Sequence, residues 1–545
     1  MNNPSTGFLA KERTIAGPDF NRWLVPPAAL AIHLCIGMAY GFSVFWLPLS
    51  KAVGINESKP CGPEINFLQE LIVTHCDWRI STLGWTYTLF FVFLGSSAAL
   101  WGGWLERVGP RKAGVVSTFC WCGGMLFSAL GIHLHQFWMM LLGSGIIGGV
   151  GLGLGYISPV STLIKWFPDK RGMATGMAIM GFGGGAMIGS PLAAELMKVF
   201  ASPTDIGVMP TFVVLACLYF VFMMTGALSY RLPATGWLPA GWTPPPPGLN
   251  NKMITQHHVH VKNAFKIKQF WLLWGVLCMN VSAGIGVIGM SSPMLQEVFG
   301  GQLIGLGKTY GQLDKTELSA IATVAAGFTA LLSLFNIGGR FFWASLSDKM
   351  GRKMTYIVFF VVGSLLYISV PGSAMAGNKL LFVAAICVIL SMYGGGFSTI
   401  PAYLADLFGT QMVGAIHGRL LTAWATAGIL GPVIVNYMRE YQLKLGIPRE
   451  QVYNQTMLIL AGMLMIGLLC NILVRPIADK WFMTDAELDE EKRLAHEKTL
   501  FEPKINANIN TPKHYVLVLL AWTLVLMPLG WGVYKTVISV EKFFN

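Results

Sequence analysis

Charged residues are scarce in this chain. Only 12% of its 545 residues are Asp, Glu, Lys or Arg, while 54% are hydrophobic and the mean hydropathy is +0.57. So little charge over this length excludes an ordinary soluble protein and predicts one that crosses a membrane many times. The sequence also lacks a Gly-x-x-x-x-Gly-Lys-Ser/Thr loop for nucleotide phosphates, zinc-type cysteine spacing, and any nucleophile–base pair. These absences argue against ATP as an energy source, a metal site or an enzymatic reaction, and no cofactor is expected.

Long apolar runs separated by polar loops predict an all-α membrane protein. There are thirteen such runs, each long enough to span a bilayer. They lie at about 24–50, 80–104, 113–132, 137–164, 173–200, 210–230, 269–296, 318–346, 354–372, 378–402, 411–437, 454–475 and 515–534.

The net charge of +12 has a one-sided distribution along these runs. With the N-terminus inside, 25 of the 38 Lys and Arg residues lie in cytoplasmic segments, 12 lie outside, and the last is Arg340. This asymmetry follows the positive-inside rule, so the charge reports topology and predicts no nucleic-acid partner. Met1–Asn21 is polar and shows no cleavable signal. We expect an integral protein of the inner membrane of a prokaryote, with membrane lipid around it, the N-terminus cytoplasmic and the C-terminus outside.

The two halves of the chain repeat each other at a spacing of about 242 residues. Matching pairs are Glu106 with Asp348, Pro159 with Pro401, Gly172 with Gly414, Gly176 with Gly418 and, at 241, Pro191 with Pro432. This concordance predicts two six-helix bundles related by duplication, and a thirteenth helix without a counterpart. The expected divisions are a cytoplasmic tail at 1–23, bundles at 24–230 and 269–475, a cytoplasmic linker at 231–268 containing Pro244–Pro247, a charged cytoplasmic segment at 476–513, and the extra helix with the C-terminus at 514–545.

A single charged residue, Arg340, interrupts the apolar stretch Leu318–Leu346. The next one, Asp348, is eight residues further on, which places Arg340 about 12 Å inside the membrane boundary and near mid-depth. An arginine there costs on the order of 3 kcal/mol or more unless it is paired. One possible partner is a group of the protein itself, either a backbone carbonyl or a carboxylate. The other is an anionic substrate. Because a scaffold residue would tend to occur in both halves, and the first-half counterpart is Ala98, we favour the anionic substrate.

Two loops carry a predicted gate motif. It comprises Gly102, Glu106, Arg107, Gly109, Arg111 and Lys112 after the second predicted helix, and Asp348, Lys349, Gly351, Arg352 and Lys353 after the eighth, where Ala344 replaces the first glycine. Topological anchoring accounts for the basic residues only. A carboxylate at a helix end can also pair with basic groups or a helix N-terminus across the two bundles in one conformation. The motif resembles the signature of the major facilitator superfamily, which implies that superfamily's fold.

Two further segments resemble the oxalate/formate antiporter family within that superfamily. They are Gly-Met-Ala-Tyr-Gly-Phe-Ser-Val-Phe in the first predicted helix and Gly-Gly-Gly-Phe-Ser-Thr-Ile-Pro in the tenth. The resemblance covers roughly residues 24–475. It implies alternating-access transport of small carboxylate anions, by antiport or proton symport, with Arg340 matching the family's arginine in helix eight.

The sequence departs from that family at the second cation of its oxalate exchanger, a lysine in helix eleven. No lysine occurs in 411–437, and Trp424 stands near that place. Because a dianion is best held by two cations, a monocarboxylate such as formate, lactate or pyruvate is favoured over oxalate. The related monocarboxylate transporters have a proton-coupling aspartate four residues before the arginine, and here Asn336 takes that position. Asn336 can hydrogen-bond Arg340 but cannot carry a proton, which leaves His33 and Asp406 as candidates.

Aromatic residues are expected to complete the binding pocket, because rings exclude water and hydroxyls suit carboxylate oxygens. The candidates in the predicted first, fourth, tenth and eleventh helices are Tyr40, Tyr156, Phe397, Tyr403 and Trp424. Two other hypotheses about the function remain open. One is efflux of drugs or neutral solutes, which usually uses a membrane-embedded carboxylate. The other is a transporter-like sensor that uses its C-terminal extension.

The appended segments allow more than one interpretation. Cys61 and Cys76 share the first outer loop and either form a disulfide or remain free thiols. The thirteenth helix is either an accessory element or a contact for a partner protein. Thr484–Glu487 is predicted to form a capping box at the N-terminus of a short charged helix. The transport unit itself is expected to be monomeric.

Overall fold

The computed structural model describes residues 7–17, 19–55, 59–62, 64–234, 236–243, 253–494 and 512–544. These residues are almost entirely helical, with a few isolated β-bridges. The proline run 244–247 of the predicted linker lies outside the described residues, as does 495–511 of the predicted charged segment.

Thirteen long helices follow one another through the described residues, as the apolar runs predict. They are α1 (Arg22–Phe45), α2 (Ile80–Val108), α3 (Pro110–His133), α4 (Phe137–Trp166), α5 (Arg171–Phe200), α6 (Val208–Ser229), α7 (Lys268–Phe299), α8 (Lys315–Met350), α9 (Arg352–Met375), α10 (Lys379–Phe408), α11 (Val413–Lys444), α12 (Asn454–Leu473) and α13 (Pro512–Phe544). Twelve of them are long and apolar enough to cross a membrane. The other, α8, has 36 residues, and at about 1.5 Å per residue it exceeds the thickness of a bilayer core.

Three of these helices are less regular than the apolar pattern predicts. In α1 the α-helical part Val25–Ile36 continues as a 3₁₀ helix over Gly37–Phe45. In α4 the segment Leu141–Gly148 is a π-helix, and α11 is interrupted at Leu421. Such departures are frequent near functional sites, and the first of them carries Tyr40.

Helices α1–α6 and α7–α12 form two bundles that meet along a seam, where α5 packs against α8 and α2 against α11. Glycines permit the close approach. A Cβ built on Gly176 would lie 2.9 Å from the carbonyl oxygen of Arg340, and one on Gly418 would lie 2.2 Å from that of Ala98. The seam is therefore lined by small residues, as is usual where helices in lipid approach each other closely.

Helix α13 lies across this seam on the outside, in contact with α1, α5 and α8. Leu529 packs over Gly184, and the indole nitrogen of Trp522 donates to the carbonyl oxygen of Trp23 at 3.1 Å. Only 11% of the apolar span of α13 is buried, so most of its surface faces outward. The extra C-terminal helix is thus attached to both bundles.

The end of the molecule that carries the α2–α3 and α8–α9 connections is called the gate end below. The loop at the opposite end, between α1 and α2, contains a disulfide between Cys61 and Cys76. The buried carboxylate of Asp77 accepts hydrogen bonds from the backbone N–H groups of Val53 and Lys59, both at 2.6 Å. These bonds fix the loop that the disulfide closes.

Candidate functional site

Arg340 is completely buried at the seam between the two bundles. Its Nε donates to the side-chain oxygen of Asn336 on the same helix at 3.1 Å, and its Nη1 donates to the carbonyl oxygen of Ile179 on α5 at 3.2 Å. The third nitrogen, Nη2, has no hydrogen-bond partner among the described residues. No carboxylate of the described chain pairs with this guanidinium. The arginine is therefore held in place by neutral acceptors, with one donor nitrogen and its charge uncompensated.

An aromatic cluster adjoins Arg340. The guanidinium lies 5.5 Å from the centre of the Phe397 ring, and that ring lies 4.5 Å from Trp424. From the other bundle, the rings of Tyr156 and Tyr40 lie 5.4 Å and 6.1 Å from Trp424. Residues of both bundles thus meet around one buried indole at the centre of the seam.

Buried polar atoms without partners are concentrated in this cluster. Among the described residues they include the hydroxyls of Tyr40, Tyr156 and Tyr393 and the indole nitrogen of Trp424. All three tyrosines lie within electrostatic reach of Arg340, and the Tyr40 hydroxyl lies beside both Arg340 and the Tyr393 hydroxyl. Such groups cost free energy in a folded protein unless a ligand, an ion or ordered water meets them. Together with Arg340 they offer donors of a kind that suits an oxyanion.

Four of the five predicted aromatic residues gather here, namely Tyr40, Tyr156, Phe397 and Trp424, and Asn336 contacts Arg340 directly. Tyr403 does not join them. Its ring stacks on Tyr356 and its hydroxyl donates to Asn471, inside the second bundle towards the gate end. Sequence reasoning missed Phe91 and Phe182, whose rings lie 5.4 Å and 5.5 Å from Trp424.

At the gate end, Asp348 reaches across the seam to the first turn of α5. Its two carboxylate oxygens accept hydrogen bonds from the backbone N–H groups of Gly172 and Met173, at 2.8 Å and 2.9 Å. Free N–H groups and the helix dipole make a helix N-terminus a favourable site for a carboxylate. The acid therefore caps a helix that belongs to the opposite bundle.

Ion pairs extend this contact. Arg352 donates to Asp348 at 2.6 Å and to Asp406 at 3.1 Å, and Arg171 of the first bundle pairs with Asp406 at 2.9 Å. These contacts of Asp348, Arg352, Asp406 and Arg171 are called the latch between the bundles below. A cavity of about 320 Å³ opens beside it, lined by residues of the α8–α9 connection and by Tyr403.

Glu106 makes the equivalent contact in the other direction. Its Oε1 accepts from the backbone N–H of Gly414 at 3.0 Å, in the first turn of α11, and from the Ser161 hydroxyl at 2.9 Å. Its Oε2 pairs with Lys165 of its own bundle at 2.7 Å. Both acids of the duplicated motif therefore cap a helix of the opposite bundle across the seam at the gate end.

The remaining motif residues shape and anchor the two loops. Gly109 and Gly351 have φ values of +86° and +83°, which favour glycine, and a Cβ on Gly102 would lie 2.7 Å from the Cα of Ala415 across the seam. Three of the basic residues hold neighbouring segments. Arg111 donates to the carbonyl oxygens of Phe8 and Tyr230, Lys353 donates to those of Ile472 and Val474, and Arg107 lies 3.6 Å from Glu491. The other two, Lys112 and Lys349, are exposed.

The histidines of the linker take structural positions. His260 Nε2 lies 3.1 Å from the Glu491 carboxylate of the short helix Asp485–Leu494, which begins after the Thr484 capping box. Burial lowers the pKa of His258 to about 4, so this side chain is neutral at neutral pH. No group of His, Cys, Asp or Glu residues in the described part of the chain is arranged to hold a metal ion.

Two six-helix bundles, joined by contacts at the gate end and with a buried arginine at the seam between them, define a polytopic membrane transporter. Residues 29–432 match the model of the Major Facilitator Superfamily, and the chain belongs to that family. Among proteins of similar sequence, an oxalate:formate antiporter of Oxalobacter formigenes is 23% identical over 433 residues, covering 79% of this chain and 87% of that protein. Apicoplast pyruvate carrier 1 of Toxoplasma gondii is 25% identical over 389 residues, covering 62% of this chain and 66% of that protein.

Solved structures of the family share the fold. A proton:xylose symporter bound to 6-bromo-6-deoxy-D-glucose aligns with a TM-score of 0.55 and 14% identity, over 86% of this chain and 98% of that one. The fucose:proton symporter of E. coli aligns with a TM-score of 0.51 and 12% identity, over 83% and 99%. The superfamily and the fold predicted from the gate motif and the internal repeat are confirmed.

Proposed function

We propose that this protein is a secondary carrier of small monocarboxylates such as formate, lactate or pyruvate, working by alternating access. The observation that carries the proposal is the buried Arg340, whose Nη2 and positive charge lack a partner among the described residues. A guanidinium can hold both oxygens of one carboxylate. The similarity to an oxalate:formate antiporter and to a pyruvate carrier supports the same substrate class.

The charge of the site favours one carboxylate over two. By the resemblance, Trp424 stands near the place of the second cation of the family's oxalate exchanger, and its side chain is fully buried. The nearest cation of α11 in sequence, Arg419, donates to the carbonyl oxygen of Val261 and packs on Phe265, both in the segment before α7. We therefore assign Arg340 as the cation that holds the substrate carboxylate, and oxalate should be a poorer substrate.

Transport by alternating access uses the seam as the moving interface. In the proposed orientation the gate end and the N-terminus are cytoplasmic, the C-terminus is outside, and the membrane is the inner membrane of a prokaryote. The conformation described here, with both acids capping helices across the seam, is then closed to the cytoplasm. Opening it breaks the contacts of Glu106 and Asp348, and pairing at the opposite end replaces them.

The test is counterflow in proteoliposomes. Vesicles loaded with each unlabelled solute in turn receive labelled formate or pyruvate, with oxalate and a lipophilic cation in the panel and protein-free vesicles as the leak control. We expect exchange of monocarboxylates well above that control and weak exchange of oxalate. Exchange of the cation and of no carboxylate would support efflux instead, and binding of a carboxylate without any exchange would support a sensor.

A further inference from the structure

His33 of α1 is buried beside this site, and its two ring nitrogens face the same kind of partner. Nδ1 lies 2.5 Å from the carbonyl oxygen of Ala178 on α5, and Nε2 lies 3.2 Å from that of Tyr156 on α4. Both partners can only accept a hydrogen bond. A neutral imidazole carries one N–H, so it can donate to one of these oxygens and must turn a lone pair towards the other. Only the doubly protonated ring satisfies both.

The same stretch of α5 backbone holds His33 and Arg340. The carbonyl oxygen of Ala178 faces His33 Nδ1, and that of the next residue, Ile179, accepts from Arg340 Nη1 at 3.2 Å. The two side chains approach α5 from different bundles, and Arg340 lies within electrostatic reach of the imidazole. In an empty site a second cation so close to Arg340 is opposed by repulsion and by burial. A bound carboxylate removes the repulsion.

We propose that His33 is the proton-binding site of the carrier and that it takes up one proton together with each monocarboxylate. This inference rests on the proposed function. The proton comes from water on the side to which the site is open, binds the ring nitrogen that lacks one, and is released to water on the other side with the substrate. Since one anion and one proton enter together, the loaded and the empty site have the same net charge, and transport is a symport insensitive to membrane potential.

Other titratable groups around His33 do not offer the same geometry. The ring of Tyr156 lies 5.3 Å away, and His417 of α11 lies within electrostatic reach. Neither ring nitrogen of His417 has a partner among the described residues, so nothing there favours the doubly protonated form. Of the helices packed on α1, α6 has no charged residue, α4 has one in its last turn, and α5 has none between Arg171 and Glu195. Helix α13 has no charged residue between Lys513 and Lys535. His417 is thus a matched control.

The first experiment counts protons. Purified protein in lipid nanodiscs is titrated with pyruvate by calorimetry at one pH in two buffers of different ionisation enthalpy, which gives the protons bound per carboxylate. We expect about one in the wild type and in His417→Gln, and about none in His33→Gln, because linkage requires uptake wherever binding favours the protonated form. Glutamine keeps a donor for the carbonyl oxygens but cannot be charged.

The second experiment separates coupling from carriage. In proteoliposomes, His33→Gln should keep carboxylate counterflow, which moves no net proton, and should lose the pyruvate-driven acidification that an internal dye reports in the wild type. Protein-free vesicles correct for diffusion of the free acid. If His33→Gln does not fold, infrared difference spectra of wild type and His417→Gln with ring-labelled histidine must both show imidazole converting to imidazolium when pyruvate binds.

Three results overturn the inference in distinguishable ways. Binding of pyruvate to the wild type without proton uptake refutes coupling and leaves the carrier proposal standing. Proton uptake that survives in His33→Gln, or that is lost in His417→Gln, places the proton elsewhere. Absence of both carboxylate binding and exchange across the whole panel refutes the proposed function, and the coupling proposal fails with it.

Discussion

The closed seam makes a sharp prediction about two adjacent glycines of α2. A Cβ on Gly102 would lie 2.7 Å from the Cα of Ala415 and 3.3 Å from its carbonyl oxygen, on the opposite bundle. A Cβ on Gly103 would meet nothing within 4 Å. Both replacements, Gly102→Ala and Gly103→Ala, raise the helix propensity of α2 by the same ~1 kcal/mol. Any difference between them therefore measures the contact across the seam.

The magnitude follows from the geometry. Carbon atoms pack best at about 3.5–4.0 Å, so the extra methyl group of Gly102→Ala pushes α2 and α11 apart by about 1 Å. Overpacking of this kind costs about 1–3 kcal/mol. In the proposed alternating-access cycle the cost applies only while the gate end is closed, because the two surfaces separate when it opens. The ratio of open to closed molecules should rise about 5- to 150-fold in Gly102→Ala.

Distances between spin labels measure that ratio. The labels are attached to cysteines introduced at Lys112 and Met354, which are exposed at equivalent positions of the two bundles at the gate end. The seven free cysteines are first replaced, which gives the background protein for all variants. We expect Gly102→Ala to move population towards longer distances and to slow transport, and Gly103→Ala to behave as the background does. Identical distance distributions in both variants would refute the reasoning, because a rigid moving contact could not absorb the methyl group unnoticed.

Other predictions concern the latch and the pocket. Asp348→Ala and Glu106→Ala each remove a helix cap that the proposed cycle makes in one conformation only, so populations should shift by about 1–2 kcal/mol. Initial rates should fall with little change in substrate affinity, and unchanged rates would mean that the loops only anchor topology. Arg340→Lys should weaken monocarboxylate uptake and Arg340→Ala should nearly abolish it, whereas wild-type uptake in Arg340→Ala would place the site elsewhere. Trp424→Lys should raise the oxalate-to-formate ratio in competition uptake and lower the folding yield, since the empty pocket then holds two cations; normal folding with an unchanged ratio would contradict the assignment.

Much of the fold was predictable because the sequence patterns that indicate it are local in the chain. A lone arginine in an apolar run needs a protected position with a partner, and Arg340 is fully buried between the bundles. An acid, glycines and basic residues duplicated at a spacing of 242 predicted contacts between the two halves, and Asp348 and Glu106 make such contacts. The partner of each acid was not predictable in detail. That Asp348 caps α5 rather than pairing with a lysine depends on how the bundles dock, which the sequence does not encode locally.

The errors and omissions in the pocket have a geometric cause. Tyr403 follows Phe397 by six residues, which turns it about 120° away around a helix and moves it about 9 Å along the axis. Tyr393 precedes Phe397 by four residues and therefore shares its face, and the two rings lie 5.3 Å apart. The helical spacing from Phe397 could thus have predicted Tyr393, and not Tyr403, as a residue of the pocket. The contribution of Phe182 depends on the packing between the bundles and had no such signal.

The duplication also separates the mechanical role of position 340 from its chemical one. The carbonyl oxygen of Arg340 packs on Gly176, and the carbonyl oxygen of its counterpart Ala98 packs on Gly418, the counterpart of that glycine. The same backbone crossing therefore exists twice, once with an arginine side chain and once with a methyl group. Because alanine already supports this crossing in one half, Arg340→Ala should leave the helix contact intact. Loss of transport in that variant, with wild-type yield and thermal stability, would then report on the substrate site and not on the fold.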